Sequence, residues 1–500
     1  MESREWSGFP PLSTLYTCSK MRVISYPHTK QIRPRRPGAL RGVVALGAVM
    51  LAFLCACVFA APVVARLIPP RYVARFVPEP LQGYFQLPRV ELPTPVAAPH
   101  AVASLLTPIP TVPSSPAPQV RQPTSTVQPT GTLVRRVTPT PVAFPNATIA
   151  ARMTPASIES ATVLLTGFRH AFQGWNNCGP ANLAMALSYH GWKGTQAQAA
   201  ASLKPDPEDR NVNPDEMAAF VRSQGFQAIV RANGSLDLLK ALIRAGFPPI
   251  VEKGFEPEEK LGWMGHYQVL AGWNDTTREF IAMDSYLGPN QSVPFDEMDK
   301  YWRQFNRMYI VVCKPEQAEA LSRIIGADMN DATMYRNALL RAQAEVASNP
   351  KDAFGWFNVG TNYAALGMPT ESVAAYDQAR RLGQPWRMTW YQFGWFEAYL
   401  ATNRLDDVLA LADATLKSNP YAEEMYYYKG RVFQKCGDDN AAREQFSLAL
   451  KHNPYFARAR QALGQADSTR LVVSGDGLGR HSQRGIIRPH VEPAKSILGI

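Results

Sequence analysis

A run of about two dozen uncharged residues, from Gly42 to Ala65, limits the fold of this chain more than any other feature. Its length matches a helix that crosses the hydrocarbon layer of a membrane. Five basic residues closely precede the run and three closely follow it, so the positive-inside rule predicts a cytoplasmic N-terminus. We therefore expect a basic cytoplasmic segment at 1–41, a transmembrane helix at 42–65, and an extracytoplasmic location for the remainder.

A cleaved signal peptide is the alternative interpretation of the same run. Met21 offers a later start, and the sequence Leu-Cys-Ala-Cys that ends at Cys57 loosely resembles a lipoprotein cleavage box. Both interpretations predict that the rest of the chain is exported.

Proline dominates the next segment, residues 66–157. Eighteen of the 42 prolines lie between Pro69 and Pro145. Prolines at this density remove backbone donors and favour an extended, semi-rigid chain that rises about 3 Å per residue. The segment is predicted to be an extracytoplasmic linker, and a role of its prolines as a ligand is the alternative.

Residues 158–315 interleave helical and extended patterns, which predicts an α+β domain. Helices are expected at 213–225 and after a Ser235 cap, ending at Gly246. Strands are expected at 226–232, 248–254, 266–273 and 278–286, the last two joined by a turn-rich stretch at 274–277.

One predicted helix of this domain begins at a cysteine. Residues 181–187 are apolar nearly all the way round, which is typical of a helix buried at the centre of a domain. Cys178 precedes or begins this helix, and Pro180 suits the first turn. The free amides and the macrodipole of a helix N-terminus stabilise a thiolate. Cys178 is therefore a candidate nucleophile, and an inert buried cysteine is the alternative.

A cysteine nucleophile needs a base, and three histidines lie in this domain. His190 lies twelve residues along the same helix, about 18 Å from the cysteine, and His170 precedes it in an unassigned loop. His266 remains, at the start of a predicted strand.

The predicted hairpin supplies His266 with a partner. With its turn centred between Asp275 and Thr276, His266 and Asp284 lie opposite or nearly opposite on one face, with Cβ atoms about 5 Å apart for a direct pair. A carboxylate so placed holds the imidazole tautomer while the other ring nitrogen faces the thiol. Asp275 and Asp296 remain alternative partners.

Three segments in this order, FQGWNNCGPANLAMALSYHG, GHYQVLAGW and IAMDSY, resemble the C39-like cysteine peptidases, which have a papain-like fold. The resemblance implies that Cys178 is the nucleophile, His266 the general base and Asp284 the orienting acid. It also implies that Gln173 completes the oxyanion hole, where its amide would act with the backbone N–H of Cys178. No cofactor is implied.

The sequence departs from the transporter-linked members of this family in three ways. Gln173 lies five residues before Cys178 instead of six, and Asn177 replaces a common aspartate. No GxxxxGK[ST] loop is present, so the double-glycine leader specificity of the fused exporters is not expected here.

Residues 327–466 carry a repeated pattern. Pro350, Pro385, Pro420 and Pro454 are spaced by 35, 35 and 34 residues, and the aromatic and glycine positions between them resemble tetratricopeptide repeats. The resemblance implies an all-α solenoid whose concave surface docks a peptide or protein, with a more divergent middle repeat. Residues 467–500 lack periodicity and are predicted to be disordered.

The charge distribution and the cysteine spacing argue against a nucleic-acid-binding protein and a metalloprotein. The net charge of +11 is concentrated near the two ends of the chain, so nucleic-acid binding is not expected. The six cysteines form no CxxC pair or Cys/His ligand spacing, so no metal site is expected. The leading hypothesis is a membrane-anchored, extracytoplasmic cysteine peptidase. Two alternatives are an inactive C39-like scaffold that binds partners through the repeats, and an amidase or acyltransferase that uses the same residues.

Overall fold

The computed structural model describes residues 90–96, 105–106, 161–257 and 261–464. The predicted transmembrane helix at 42–65 and the tail at 467–500 lie outside these residues. Within the described part of the chain, no helix combines the length and the apolar character that crossing a bilayer requires.

A seven-stranded antiparallel sheet forms the centre of the first domain, and four of its strands, β2 to β5, lie where extended segments were predicted. Its strand order is β2-β7-β3-β4-β5-β6, and β1 also pairs with β4. The strands are β1 (Thr162–Leu164), β2 (Gln227–Arg231), β3 (Pro249–Phe255), β4 (Met264–Asn274), β5 (Glu279–Asp284), β6 (Gly288–Pro294) and β7 (Tyr309–Cys313).

Helices cover both faces of this sheet. They are α1 (Cys178–Tyr189), α2 (Gln196–Leu203), α3 (Pro214–Ser223), α4 (Leu236–Arg244), α5 (Phe295–Trp302) and α6 (Ala318–Ile325). Successive side chains of a strand point to opposite faces. Val269 accordingly packs in one apolar cluster with residues of α1, α2 and α3, and Leu270 packs in a second with residues of α4, α5 and α6. Helix α1 therefore lies in the buried centre, as its all-round apolar pattern predicts.

Local signals set the helix boundaries closely. The Ser235 hydroxyl accepts a hydrogen bond from the backbone N–H of Leu238 at 3.1 Å, which confirms the predicted cap. Asn213 and Glu216 form a capping box at the start of α3. Gly246, with φ of +82°, follows the end of α4 where a left-handed residue is needed.

The register of the β4–β5 hairpin differs from the predicted one. Asn274 pairs with Glu279, so the turn is centred one residue later than expected, and an irregularity between Leu270 and Gly272 shifts the pairing again. Val269 then pairs with Met283. Continuing this register places Asp284 opposite Gln268, and His266 is its diagonal neighbour on the same face. His266 and Asp284 are therefore diagonal neighbours and not a direct pair, and they share one face as predicted.

The helical region that follows consists of α7 (Asp331–Ser348), α8 (Ala353–Ala365), α9 (Pro369–Leu382), α10 (Gly394–Ala401), α11 (Leu405–Ser418), α12 (Glu423–Lys435) and α13 (Asp439–His452). Gly360 packs against the ring of Tyr376, and Gly430 packs against the ring of Phe446. These two contacts are related by two periods of the repeat, so the sequence period corresponds to a packing period. Paired helices of this kind are compatible with tetratricopeptide repeats.

The middle repeat is the divergent one, and it contacts the α+β domain. A 3₁₀ helix, Trp386–Trp390, precedes the short α10. Arg387 donates hydrogen bonds to the backbone carbonyls of Leu261 and Trp263, the latter at 3.0 Å. The α+β domain and the helical region belong to one compact unit. The sequence of this repeat is therefore constrained by two packing partners.

Part of the predicted linker also packs on the helical region. Leu105 is 4% exposed, and the hydroxyl of Tyr363 donates to its carbonyl at 2.9 Å. Arg380 donates to the carbonyl of Pro93. A plain spacer would leave these carbonyls in water, so the spacer interpretation does not describe residues 90–96 and 105–106. An extended chain without internal hydrogen bonds keeps its carbonyls available for such contacts.

Candidate active site

Cys178 is the first residue of α1, at the place where the buried helix meets the surface. Its side chain is partly exposed, whereas residues 179–188 behind it are buried. The carbonyl of Asn177 accepts the first helical hydrogen bond, from Ala181 at 3.0 Å. The thiol is therefore held at the positive end of the helix dipole and remains within reach of solvent.

His266 and Asp284 form a buried pair beside this thiol. The Nε2 atom of His266 lies 3.0 Å from Oδ2 of Asp284, and the two side chains are 3% and 0% exposed. His266 lies close enough to the thiol of Cys178 to lower the pKa of that thiol. Because Nε2 is engaged by the carboxylate, Nδ1 is the nitrogen available to the sulfur.

The charges of these three groups support one another. Burial raises the pKa of the Cys178 thiol, but the hydrogen bond and the charge of His266 outweigh burial and lower it below its usual 9.0. Burial lowers the pKa of His266, and Asp284 reverses this and raises it to about 9. Burial opposes ionisation of Asp284, yet His266 holds its carboxyl pKa well below the usual value. The three groups therefore stabilise one another as thiolate, imidazolium and carboxylate.

Asp284 is fixed by groups that sequence reasoning missed. The side-chain amide of Gln268 donates to Oδ2, and the backbone N–H groups of Tyr286 and Leu287 donate to Oδ1 at 2.6 and 2.8 Å. Gln268 lies on the face of β4 that carries His266. The alternation along the strand could have pointed to it, because both residues are polar in a buried strand.

Aromatic rings shield the imidazole. The ring of Phe255 stacks on His266 with centroids 4.5 Å apart, and Tyr286 meets both rings edge-on. These contacts fix the orientation of the imidazole and exclude water from its bond to Asp284.

Gln173 is buried next to the end of β5. Its backbone N–H donates to the carbonyl of Ser285 at 2.8 Å, and its Oε1 accepts from the Ser285 hydroxyl at 2.7 Å. With the oxygen so engaged, the amide NH₂ is the end of the side chain that can donate to a substrate.

Asn182, also missed from the sequence, links the helix to the sheet. It is fully buried, and its Nδ2 lies 2.9 Å from the carbonyl of Cys178, 2.7 Å from that of Tyr267 and 2.8 Å from the hydroxyl of Ser285. An amide in an otherwise apolar buried helix was the available signal, because such a group must find internal partners.

Lys204 anchors the loop that leads into Cys178. Its buried ammonium donates to the carbonyls of Trp175 and Asn176, at 3.3 and 3.1 Å, and to that of Asp209 at 2.9 Å. Asn176 has φ of +48°, which is uncommon outside glycine. The lysine thus holds an unusual backbone conformation two residues before the thiol.

The other candidates from the sequence have different partners. Nε2 of His170 lies 2.9 Å from the backbone carbonyl of Asp284, and His190 is buried away from solvent with a pKa lowered to about 4 by burial and by Lys314. Asp275 pairs with Lys240 at 2.6 Å, and exposed Asp296 lies near Arg278.

Tyr391 of the helical region packs against the backbone beside His266. Gly265 immediately precedes His266, and a Cβ atom at Gly265 would lie 3.0 Å from the Tyr391 ring and 2.9 Å from Phe305. The backbone next to the imidazole is therefore packed by a residue of the middle repeat.

Residues 165–310 match the family described as Peptidase_C39 like. This segment is a C39-like peptidase domain. The match includes Gln173, Cys178, His266 and Asp284, and it ends before the helical region.

Three solved structures are similar to parts of the chain. A protein described as a C39-like peptidase from Bacillus anthracis is 17% identical, covering 31% of this chain and 98% of that one, with a TM-score of 0.26. A double glycine motif protease from an AMS/PCAT transporter, in complex with the leader peptide, is 19% identical over 31% and 98%, with a TM-score of 0.24. MamA is 17% identical over 27% and 78%, with a TM-score of 0.25. No curated protein matches the chain.

Proposed function

We propose that this protein is a membrane-anchored, extracytoplasmic cysteine peptidase that hydrolyses peptide bonds through an acyl-enzyme. A peptidase domain acts on peptide or protein substrates. The single observation that carries the proposal is the Cys178 thiol at a helix start, electrostatically coupled to the buried, hydrogen-bonded pair of His266 and Asp284.

In this mechanism the Cys178 thiolate attacks the scissile carbonyl carbon and forms a C–S bond. The negative charge that develops on the carbonyl oxygen is stabilised by the backbone N–H of Cys178 and the amide of Gln173. The His266 imidazolium gives its proton to the leaving amine as the C–N bond breaks. Neutral His266 then takes a proton from water, which attacks the thioester carbon; the C–S bond breaks, the Cys178 thiolate and the His266 imidazolium are restored, and the acid is released. Asp284 keeps the imidazole oriented throughout.

The remaining parts of the chain complete the proposal. The uncharged run at 42–65 anchors the protein and leaves the peptidase domain outside the membrane, and the helical region docks substrates or partners. Contacts of Arg387 and Tyr391 with the peptidase domain support a coupled role for the two regions.

Thiol reactivity measured against pH tests the catalytic role. Iodoacetamide should label Cys178 selectively at pH 6, because its thiolate is stabilised at that pH. Cys313 is the matched internal control, since it is fully buried and burial raises its pKa to about 11. His266→Ala should abolish the selective labelling. Equal labelling rates for Cys178 and Cys313 would favour a binding scaffold.

Comparison of protein termini in cells tests the reaction itself. Cells that express Cys178→Ala should lose a set of new peptide ends that the wild-type protein generates. If no peptide ends are lost while Cys178 remains reactive, the same residues act in amide hydrolysis or acyl transfer on another substrate.

A further inference from the structure

The predicted linker contains a short segment that binds the helical region through its backbone. Nε of Arg380, on α9, donates to the carbonyl of Pro93 at 3.2 Å. The backbone N–H of Val96 donates to Oδ1 of Asp407, on α11, at 3.2 Å. Pro95, between them, is buried. One donor and one acceptor of the helical region thus recognise a Pro-Thr-Pro-Val backbone.

The composition of this segment suits a polyproline helix. That helix has no internal hydrogen bonds, so its carbonyl and N–H groups are free to bind other partners. The two prolines of the segment favour this conformation. The segment therefore loses little conformational freedom on binding.

The binding groups are part of a built site. The side chains of Arg380 and Asp407 are 1% and 2% exposed and pair with each other at 2.7 Å. Tyr399 accepts a further hydrogen bond from Arg380, and Arg404 pairs with Asp407 at 2.6 Å. Because these partners fix both groups, the site is preorganised for its peptide.

A second contact holds the same stretch of chain. The carbonyl of Leu105 accepts from the amide of Gln343 at 2.6 Å and from the hydroxyl of Tyr363 at 2.9 Å, and its side chain is buried. Two attachment points on one chain raise the effective concentration of each for its site.

The sequence repeats the bound motif. Pro-Thr-Pro-Val-Ala occurs at 93–97 and again at 139–143, and at no other place in the chain. We propose that the paired side chains of Arg380 on α9 and Asp407 on α11 form a recognition site for extended Pro-Thr-Pro-Val segments. Residues 93–96 are its resident ligand, and the identical residues 139–142 compete for it. Exchange between the two copies changes the number of linker residues between the uncharged run at 42–65 and the bound motif. This inference is independent of the proposed peptidase reaction.

Peptide competition tests the site on the full-length, detergent-solubilised chain. In a variant with 93–96 and 139–142 both changed to Gly-Ser-Gly-Ser, a fluorescent peptide of residues 91–98 should bind saturably, and an unlabelled peptide of residues 137–144 should displace it. A peptide with N-methylvaline at the position of Val96 cannot donate to Asp407 and should bind at least tenfold more weakly. Circular dichroism establishes that the variant is folded. Absence of binding, or equal binding of a scrambled peptide, overturns the proposal.

Hydrogen exchange tests the site in the unaltered protein. The Val96 amide should exchange much more slowly than in the free peptide, and an excess of the 137–144 peptide should remove that protection. Exchange at the free-peptide rate in the native chain would refute the docking. Protection that the peptide leaves unchanged would refute the competition between the two copies.

Discussion

Replacing Asp284 with asparagine tests the charge coupling at the proposed site most directly. The carbonyl of the introduced amide can still accept from the backbone N–H groups that Oδ1 of Asp284 binds, so the turn after β5 is retained. The NH₂ group that takes the place of Oδ2 cannot accept from His266, and the negative charge is lost. The change therefore removes the negative charge that stabilises the His266 imidazolium, while the backbone N–H groups keep their acceptor.

The expected size follows from the pKa of His266. The imidazole is raised from 6.5 to about 9 against the opposing effect of burial. A rise of this size corresponds to about 3 kcal/mol in favour of the imidazolium, or roughly three-hundredfold in the ratio of imidazolium to neutral imidazole. Without Asp284, the pKa of His266 should fall to 6.5 or lower, and the pKa of Cys178 should rise towards its usual value.

The assay is the rate of iodoacetamide labelling of Cys178 between pH 5 and 9, read by mass spectrometry. At pH 7.5, where wild-type His266 is protonated and the imidazole of the variant is neutral, Asp284→Asn should label at least tenfold more slowly than wild type, with recovery near pH 9 as the thiol ionises unaided. Asp296→Asn is the matched control, since it makes the same chemical change on a side chain that is 91% exposed. A folded Asp284→Asn protein with the wild-type pH profile would refute the coupling.

Three further substitutions probe the surroundings of the thiol. Gln173→Ala should lower kcat on a cleaved peptide by about a hundredfold with little change in KM, because the lost donor acts on the transition state; an unchanged kcat contradicts that role. Asn182→Leu should lower the free energy of unfolding by about 2–4 kcal/mol, since it leaves buried acceptors unpaired; a urea midpoint equal to wild type argues against this. Gly265→Ala should lower the free energy of unfolding by about 1–3 kcal/mol, because the added methyl group crowds the Tyr391 ring. The same urea midpoint measures this loss, and labelling of Cys178 should also become slower. An unaltered midpoint and labelling rate would contradict a tight contact at this position.

Local patterns in the sequence predicted the parts of the site that depend on local rules. The position of Cys178 follows from the start of an apolar helix, and the shared face of His266 and Asp284 follows from strand alternation. The exact register did not follow, because it depends on a turn in which Arg278 adopts a φ of +55° and on an irregularity after Leu270.

The residues missed from the sequence have partners far along the chain. Asn182 hydrogen-bonds the hydroxyl of Ser285, and Lys204 binds carbonyls of the loop before Cys178. A single helix pattern reports which residues are buried, but it carries no information about which distant polar group lies opposite. The docking of Pro93 on Arg380 was missed for the same reason, since proline density predicts an extended conformation and not its contacts.

The contact of the middle repeat with Gly265 bears on how this protein can be divided. A fragment cut at residue 315 would expose Trp263 and Phe305, which lie against Tyr391, and would uncover the carbonyls that Arg387 binds. Domain shuffling that transplants the peptidase segment alone would therefore leave a bare apolar surface next to the imidazole. The described residues of the two regions belong to one compact unit, so a recombinant protein should be designed with both regions together.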